Sequence, residues 1–315
     1  SLSWNYTDLT LSGKYPLTFS RTYLSGMREL DDSGLGNGWS HNYDYRAEIF
    51  EGNVDVYLPG GGHIYYYTEY DGTLTTNKGN SWHMEKSGDG YFMKNDDGRT
   101  VLFDGDGHAV RITEAGGDVI NLSYDGDHLT RISNTSGSFT LSYSGDHITS
   151  VSDSAGRTMS LSYAGSDLAS VQNPDGDSFN YAYENHCLTQ ITDLNGNLIL
   201  ENTYDDTGHI TEQKMPDRGK MTMTYDPDNR TNTYSEEGGD TQTVVYDDRF
   251  RIISFTDDAG TETYEYDELN RRTSETDRNG NATTYEYDGE YTYPSAITHP
   301  DGTVDRYTYD GNGQI

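Results

Sequence analysis

Asp104 and Asp106, two aspartates separated by one glycine, are the most metal-like pair in the sequence. Clustered carboxylates are the oxygen ligands that calcium prefers. An EF-hand loop counted from Asp104 would need glycine at its sixth position and glutamate at its twelfth. Those positions hold Ala109 and Ala115. The sequence therefore favours a hairpin turn, and we expect no cofactor beyond weak, nonspecific calcium binding.

Three histidines recur at a similar spacing, at His108, His128 and His147. Stacked in neighbouring hairpins they would form a column, and imidazole columns can bind zinc. Asp167 and Cys187 hold the same position at the next two returns of the spacing, which is typical of a tolerant, exposed site. We interpret the histidines as polar turn residues rather than as metal ligands.

The single cysteine, Cys187, directly follows His186. A catalytic Cys–His pair needs the two side chains to face each other, whereas neighbours along a strand point apart. The sequence also lacks a nucleophile elbow, a phosphate loop and an HExxH motif, and no carboxylate pair stands out as a glycosidase couple. We therefore predict that the chain is not an enzyme.

Aromatic residues give two further candidates for binding. Trp39 and His41 lie in a glycine-rich segment, residues 34–41, in which we expect the tryptophan to anchor a core and the glycines to allow tight backbone passage. Residues 65–67 are three consecutive tyrosines, so a strand there exposes at least one ring. An exposed ring can stack on sugars or on a partner, but we favour packing on a neighbouring hairpin.

Composition limits the partners of these residues. The 315-residue chain is only 32% hydrophobic, but it contains 28 tyrosines, whose rings can build a thin core with a wet edge. Its formal charge of −32 disfavours nucleic acid and anionic membrane surfaces, which both select Lys and Arg. No apolar run is long enough to cross a bilayer, and one cysteine cannot form an intrachain disulfide.

Internal repetition indicates how the chain folds. Between residues 124 and 309 a tyrosine, usually followed by aspartate, returns every 19 to 22 residues. These repeat tyrosines are Tyr124, Tyr143, Tyr163, Tyr183, Tyr204, Tyr225, Tyr246, Tyr266, Tyr287 and Tyr309. Each repeat contains two Asp, Asn or Gly turn signals, and apolar residues alternate between them with the period of a strand. Each repeat is therefore predicted to be one hairpin.

The predicted fold is all-β. Tandem hairpins of about 20 residues would join into a continuous, spiralling, curved sheet that forms a partial β-shell. We place an N-terminal β subdomain at residues 1–100 and an array of about ten repeats at 101–315. The pair Leu129 and Ile132 is spaced by three residues, which predicts a bulge or a sharp twist. Later repeats are more polar, which predicts a wetter face towards the C-terminus.

The order Tyr-Asp, Gly, Leu/Ile-Thr-x-Ile and Asp-x-x-Gly resembles the YD repeat of the Rhs (rearrangement hot spot) family. The N-terminal residues add to this resemblance, because they resemble the segment that opens an Rhs core. The matching residues are Pro16, Leu17, Arg21, Thr22, Tyr23, Gly36, Gly38, Trp39, Ser40, His41 and Tyr43. The resemblance covers nearly the whole chain, and we expect the chain to be a segment of a longer protein.

The resemblance implies a spiralling shell that encloses a C-terminal toxin or effector. The partners would then be the rest of the same polypeptide and its cargo, in an exported bacterial protein at the cell surface or outside the cell. The family's self-cleaving aspartyl segment is not visible in this sequence. The alternative is an extracellular adhesion or carbohydrate-binding module that meets a surface glycan or protein. A glycoside hydrolase on a β scaffold is a third, weaker hypothesis.

Overall fold

The computed structural model describes residues 2–31, 33–77, 80–289, 291–309 and 315. Within these ranges the regular structure is β-strand, apart from one 3-10 turn at Ser25–Met27. No helix in this part of the chain has the length and hydropathy of a membrane span. The predicted all-β class is confirmed.

The first seven strands form two small antiparallel sheets. The N-terminal sheet consists of β1 (Ser3–Leu11), β2 (Leu17–Leu24) and β3 (Trp39–His41). The second, four-stranded sheet consists of β4 (Arg46–Phe50), β5 (Asn53–Leu58), β6 (Gly62–Thr68) and β7 (Leu74–Thr75).

The next strands form an antiparallel meander in strict sequence order, as expected for tandem hairpins. They are β8 (Trp82–Ser87), β9 (Gly90–Asn95), β10 (Thr100–Phe103), β11 (Ala109–Thr113), β12 (Val119–Asp125), β13 (His128–Asn134), β14 (Gly137–Ser144), β15 (His147–Asp153), β16 (Thr158–Ala164), β17 (Asp167–Gln172), β18 (Ser178–Glu184), β19 (Cys187–Asp193) and β20 (Leu198–Tyr204). Together, β1 to β20 make one compact unit, here called the first unit.

A second compact unit begins with β21 and contains ten strands that are again antiparallel and sequential. They are β21 (Ile210–Met215), β22 (Gly219–Asp226), β23 (Thr231–Glu236), β24 (Thr241–Tyr246), β25 (Ile252–Asp257), β26 (Gly260–Tyr266), β27 (Arg272–Thr276), β28 (Ala282–Glu286), β29 (Ala296–Thr298) and β30 (Val304–Arg306). The predicted tandem-hairpin fold is thereby confirmed, whereas the division at residues 100 and 101 stays a prediction.

The core of the first unit lies on the face that the alternation predicts. Side chains two and four residues before each repeat tyrosine share this face, here called the inner face. In the first unit they are less than a tenth exposed, and all but the amide of Asn202 are apolar or aromatic. They are Ile120, Leu122, Phe139, Leu141, Met159, Leu161, Phe179, Tyr181, Leu200 and Asn202.

A bulge accounts for the three-residue spacing of Leu129 and Ile132. Ser123 pairs with Arg131, but Tyr124 pairs with Leu129, so Thr130 is an extra residue on one strand. This insertion turns both apolar side chains to the inner face. The same shift recurs at Thr149 and Thr189, and all three threonine hydroxyls donate to a carbonyl across the hairpin.

The inner face of the second unit is more open. Its equivalent positions include Gln242, Glu262, Tyr264, Thr283 and Tyr285, and most of the side chains there are half-buried or exposed rather than buried. The polar trend of the later repeats therefore coincides with a loss of burial. A tyrosine ring with a satisfied hydroxyl tolerates such a wet position better than leucine does.

Candidate functional site

The repeat tyrosines join successive hairpins. All ten are half-buried, and most of their hydroxyl groups donate to a backbone carbonyl of the preceding hairpin. Tyr143 donates to Leu129 O at 2.9 Å, and Tyr163 donates to Ile148 O at 2.7 Å. Similar bonds are made by Tyr124, Tyr204, Tyr266, Tyr287 and Tyr309.

The acceptor carbonyl usually lies just before a bulged residue. Leu129 precedes Thr130, and Ile252 precedes the bulged Ile253. A bulge interrupts the ladder locally, so this carbonyl is available to the next tyrosine. The hairpin β22–β23 has no bulge, and the following Tyr246 is bonded by the Asn232 side chain instead. The bulge of one hairpin and the repeat tyrosine of the next therefore act together, because the bulge leaves the carbonyl to which the tyrosine hydroxyl donates.

We expect Tyr143→Phe to lower the free energy of unfolding by about 1 kcal/mol, because it leaves the Leu129 carbonyl without its side-chain donor. Tyr70→Phe is the matched control, since that ring is fully exposed on a turn and should lose nothing measurable. Urea unfolding of both variants measures the difference. Equal stabilities would show that the hydroxyl does not join the hairpins.

The aspartate after the tyrosine caps the turn that follows. Asp247 accepts the backbone N–H groups of Arg249 and Arg251, and its second oxygen accepts Arg251 Nε at 2.7 Å. Asp267 is bonded in the same way by the turn that ends at Arg271. Burial alone raises the pKa of both carboxyl groups, but these hydrogen bonds hold it below the usual range.

Asp104 and Asp106, the weak calcium candidates, lie in a turn of this kind. Asp104 Oδ1 accepts the backbone N–H groups of Asp106 and His108. One ligand atom from each of these three residues lies within 4.8 Å of the others. This spacing would suit a small cation, but the same bonds occur in turns that end in arginine or asparagine. Metal binding stays a prediction, and the turn is the role that the geometry supports.

The three regularly spaced histidines, which the sequence favours as polar turn residues, each stack on the ring of a repeat tyrosine. His128 lies 4.3 Å from the Tyr143 ring with planes 6° apart, and His147 lies 4.3 Å from Tyr163 at 10°. His108 stacks on Tyr124 at 4.6 Å. Each ring nitrogen Nε2 also meets a carboxylate, those of Asp127, Asp146 and Asp31 for His108, His128 and His147. The stacking was not foreseen, although each histidine precedes a repeat tyrosine by 15 or 16 residues.

The N-terminal sheet covers the inner face of the first unit's repeats. Phe19 packs edge-on against Phe139 with ring centroids 6.2 Å apart, and Tyr6 meets Phe179 in the same way at 4.6 Å. Hydrogen bonds flank these contacts, such as the one from Arg157 to Thr10 O at 2.6 Å. The buried core of the first unit therefore lies between two layers of the same chain.

Arg21 lies at the centre of this contact and is fully buried. Its Nε and Nη2 atoms donate to the two oxygens of Asp8 at 2.6 and 2.8 Å, and Nη1 donates to the Tyr181 hydroxyl at 3.1 Å. The guanidinium also lies 5.0 Å from the centre of the Trp39 ring. A charge is tolerated in such a place only when it is paired and hydrogen-bonded.

Tyr23 and Trp39 join the N-terminal sheet to one repeat turn. The Tyr23 hydroxyl donates to His186 O at 2.8 Å and accepts Leu188 N–H at 3.0 Å. Trp39 Nε1 donates to the Tyr183 hydroxyl at 2.8 Å. Both rings are buried, and Trp39 packs edge-on against Tyr181. Sequence reasoning expected Trp39 in a core, but it could not name the repeat on which it lies.

The glycine-rich segment runs against the hairpin turns through backbone contacts. Asn37 N–H donates to Ser166 O at 2.9 Å, and Gly34 O accepts Ile148 N–H at 2.8 Å. Gly36 has a φ of +86°, and a Cβ atom there would lie 2.6 Å from Ser166 O. Gly38 has a φ of +77° and little room beside Tyr23. Glycine is required at both positions.

His41 is buried and uncharged. Its Nδ1 accepts the Tyr43 backbone N–H at 3.2 Å, which requires that nitrogen to lack a proton. The ring packs beside Phe19 at 5.5 Å. Burial lowers the pKa of His41 from its ordinary value of 6.5 to about 4.

This lowered pKa predicts a pH dependence of stability. Below pH 6.5 the unfolded chain binds a proton at His41, whereas the folded chain does not until the pH nears 4. The stability that the neutral, buried His41 gives the fold is therefore fully present above pH 6.5 and is lost as the pH falls towards 4. We expect the free energy of unfolding to fall by an amount on the order of 3 kcal/mol through this group. His41→Asn keeps an acceptor for Tyr43 N–H but does not titrate there. Urea unfolding between pH 7 and 4 should show a flatter profile for this variant, and equal slopes would contradict the assignment.

His186 and Cys187 do not form a catalytic pair in this geometry. His186 Nδ1 meets Asp167 Oδ1 at 2.8 Å, while Cys187 is buried and burial raises the pKa of its thiol. A thiolate nucleophile needs the opposite shift. A cavity of about 740 Å³ beside Cys187 is lined by Arg28, Asn202 and four carboxylate side chains, and it shows no arrangement of nucleophile, base and oxyanion donors.

Two family models match the chain. The model described as Teneurin YD-shell matches residues 184–315, and the model described as a domain of unknown function, DUF6531, matches residues 2–67. The latter range contains the N-terminal sheet, the glycine-rich segment and most of the four-stranded sheet. No curated protein sequence matches the chain.

Solved structures similar to the chain include toxin complexes. One is a TccC3 mutant of the Photorhabdus luminescens Tc holotoxin pore, with 13% identity, coverage of 78% of this chain and 18% of the other, and a TM-score of 0.46. Another is TcdB2-TccC3 without its hypervariable C-terminal region, with 12% identity, coverage of 97% and 21%, and a TM-score of 0.47. The chain thus spans about a fifth of the length of these toxin chains.

Proposed function

Because the chain belongs to the Rhs/YD-repeat family, we propose that it is a non-catalytic part of a β-sheet shell that encloses a C-terminal toxin or effector of the same polypeptide. Its partners are then the remaining repeats and the cargo. The protein would be exported and would act at the cell surface or outside the cell.

The covering of the inner face carries this proposal. In the first unit the N-terminal sheet occupies that face and excludes water from it, with Arg21, Asp8 and Tyr181 buried beneath. In the second unit most of the same repeat positions are half-buried or exposed, and several carry polar or aromatic side chains. Such a surface suits a wall that faces an enclosed polypeptide and binds it only weakly, because water can satisfy the hydrogen-bonding groups of the wall.

Joined strands also favour a protective role. Within each unit the hairpins are bonded to their neighbours by backbone pairs, and most are also bonded by a repeat tyrosine, so a protease finds few segments that open locally. The side chains that line the cavity beside Cys187 offer no catalytic arrangement. A mechanical role uses the features that recur in most repeats, whereas catalysis would need an exceptional site.

Protease protection tests the proposal in the natural polypeptide that carries this segment. The C-terminal region should resist trypsin when it is attached to the intact shell, and the same region expressed alone should be digested at least tenfold faster. Arg21→Met should shorten the time for which the attached C-terminal region resists trypsin, because it weakens the packing of the N-terminal sheet on the inner face. Equal digestion rates for the attached and the isolated region would refute enclosure.

A further inference from the structure

The outer face of the four-stranded sheet has an unusual surface. The opposite side of this sheet faces the core, and Ala47, Val54, Val56, Ile64 and Tyr66 are buried there. The opposite side chains of β4, β5 and β6 point outward, because faces alternate along each strand.

Strand pairing arranges nine outward side chains in three rows, each crossing β4, β5 and β6. The outer two rows each contain aromatic rings, and the middle row contains two carboxylates and one tyrosine. The rows are Arg46, Tyr57 and His63; then Glu48, Asp55 and Tyr65; then Phe50, Asn53 and Tyr67. We call this surface the aromatic face.

Its rings are more exposed than a stable core would allow. Phe50 is 44% exposed and Tyr67 is 40% exposed. Phe50 lies 5.8 Å from Tyr65, which lies 5.5 Å from Tyr67, so three rings form a connected strip. A contiguous strip of this kind on a soluble, strongly charged protein marks a binding surface.

The charges among the rings indicate which partner fits. Protein interfaces are depleted of charged residues at their centres, but here Glu48 and Asp55 lie between the aromatic rows. A flat protein partner would have to bury the carboxylate of Glu48, whose side chain is 54% exposed. The chain's charge of −32 also repels acidic polysaccharides, nucleic acid and anionic lipid.

We propose that the aromatic face binds a neutral, linear polysaccharide. The C–H face of a sugar ring matches the electron-rich face of Phe50, Tyr65 or Tyr67. Sugar hydroxyls would donate to the carboxylate of Glu48 in the middle row, which is exposed to solvent beside Arg46. The site does not depend on the shell role, since it lies on the opposite side of this small sheet from the core.

The tilt of the rings restricts the shape of polysaccharide that can bind. Planes of Phe50 and Tyr65 differ by 37°, and those of Tyr65 and Tyr67 differ by 57°. A flat crystalline surface can touch only one such ring at a time. A soluble chain whose successive sugars twist can lie on all three, so it should bind better than a crystalline polymer.

Affinity gel electrophoresis tests this directly with the 315-residue chain, whose charge drives it through a native gel. The probes are mixed-linkage β-glucan, xyloglucan and galactomannan, with polygalacturonate and crystalline cellulose for comparison. We expect at least one neutral probe to retard the chain, and Phe50→Ala or Tyr67→Ala to weaken that binding at least tenfold. Tyr67→Trp should retain it.

Phe250→Ala is the matched control, because Phe250 is an 84% exposed ring outside the aromatic face and its loss should leave the retardation unchanged. Thermal unfolding of each variant confirms that it is folded. No retardation by any of the three neutral probes would overturn the proposal. So would equal retardation of the Phe50→Ala and wild-type chains. Concentration-dependent dimerisation that Phe50→Ala abolishes would assign the face to a second copy instead.

Discussion

Replacing Arg21 with methionine should lower the free energy of unfolding by about 3–5 kcal/mol, the largest loss we expect from a single side chain. The substitution leaves the Asp8 carboxylate buried without its two guanidinium bonds of 2.6 and 2.8 Å, and it removes the donor to Tyr181. Chemical denaturation followed by tyrosine and tryptophan fluorescence measures the loss. Methionine fills most of the same volume, so the effect reports the charge rather than a cavity.

A double-mutant cycle separates the pair from its surroundings. Arg21→Met with Asp8→Leu should regain most of the lost stability, because no unpaired charge stays buried. Lys220→Met is the control, since Lys220 meets Glu212 at 2.6 Å but both side chains are more than a third exposed. Removing that exposed pair should change the free energy of unfolding little, because water screens it. The buried-pair account would be contradicted if Arg21→Met were as stable as the wild type. It would also be contradicted if the loss in the double variant equalled the sum of the two single losses.

Gly36→Ala should be the second most damaging change, lowering the free energy of unfolding by about 2–5 kcal/mol. A Cβ atom at this position meets Ser166 O at 2.6 Å, and the backbone has a φ of +86°. The φ alone costs about 1–2 kcal/mol for alanine, and the forced contact adds a cost like that of overpacking. The measurement is the urea midpoint together with the slope of the transition.

Gly156→Ala isolates the contact from the backbone strain. Gly156 has a nearly identical φ of +90°, but nothing lies within 4 Å of a Cβ atom there. This control should therefore lose only the backbone part, about 1–2 kcal/mol. If the two variants lose the same stability, then the close approach of the glycine-rich segment to the Ser166 turn does not stabilise the fold.

The repeat could be predicted because its signals are local. Alternation at Phe139, Leu141 and Tyr143 gives the strand and its buried face, and the spacing of Leu129 and Ile132 gives the bulge. Turn residues supply the ends of each hairpin. All of these follow from residues within about twenty positions of one another, where the backbone geometry fixes the neighbours.

The covering of the inner face could not be predicted in this way. Arg21 is separated from Asp8 by 13 residues and from Tyr181 by 160, so no spacing in the sequence joins them. The same holds for Trp39 and Tyr183, which lie 144 residues apart. The aromatic face was foreseen only as an exposed ring among residues 65–67, because its rows depend on the register of β4, β5 and β6.

Electron cryo-microscopy of the natural full-length polypeptide tests the central claim most directly. The shell account predicts a wall of paired strands around density for the C-terminal region, with the inner face of the second unit, at Tyr264 and Tyr285, turned towards that density. It also predicts that the N-terminal sheet lies on the first repeats, as it does here. A C-terminal region outside the wall, or an inner face turned to bulk solvent, would contradict the account.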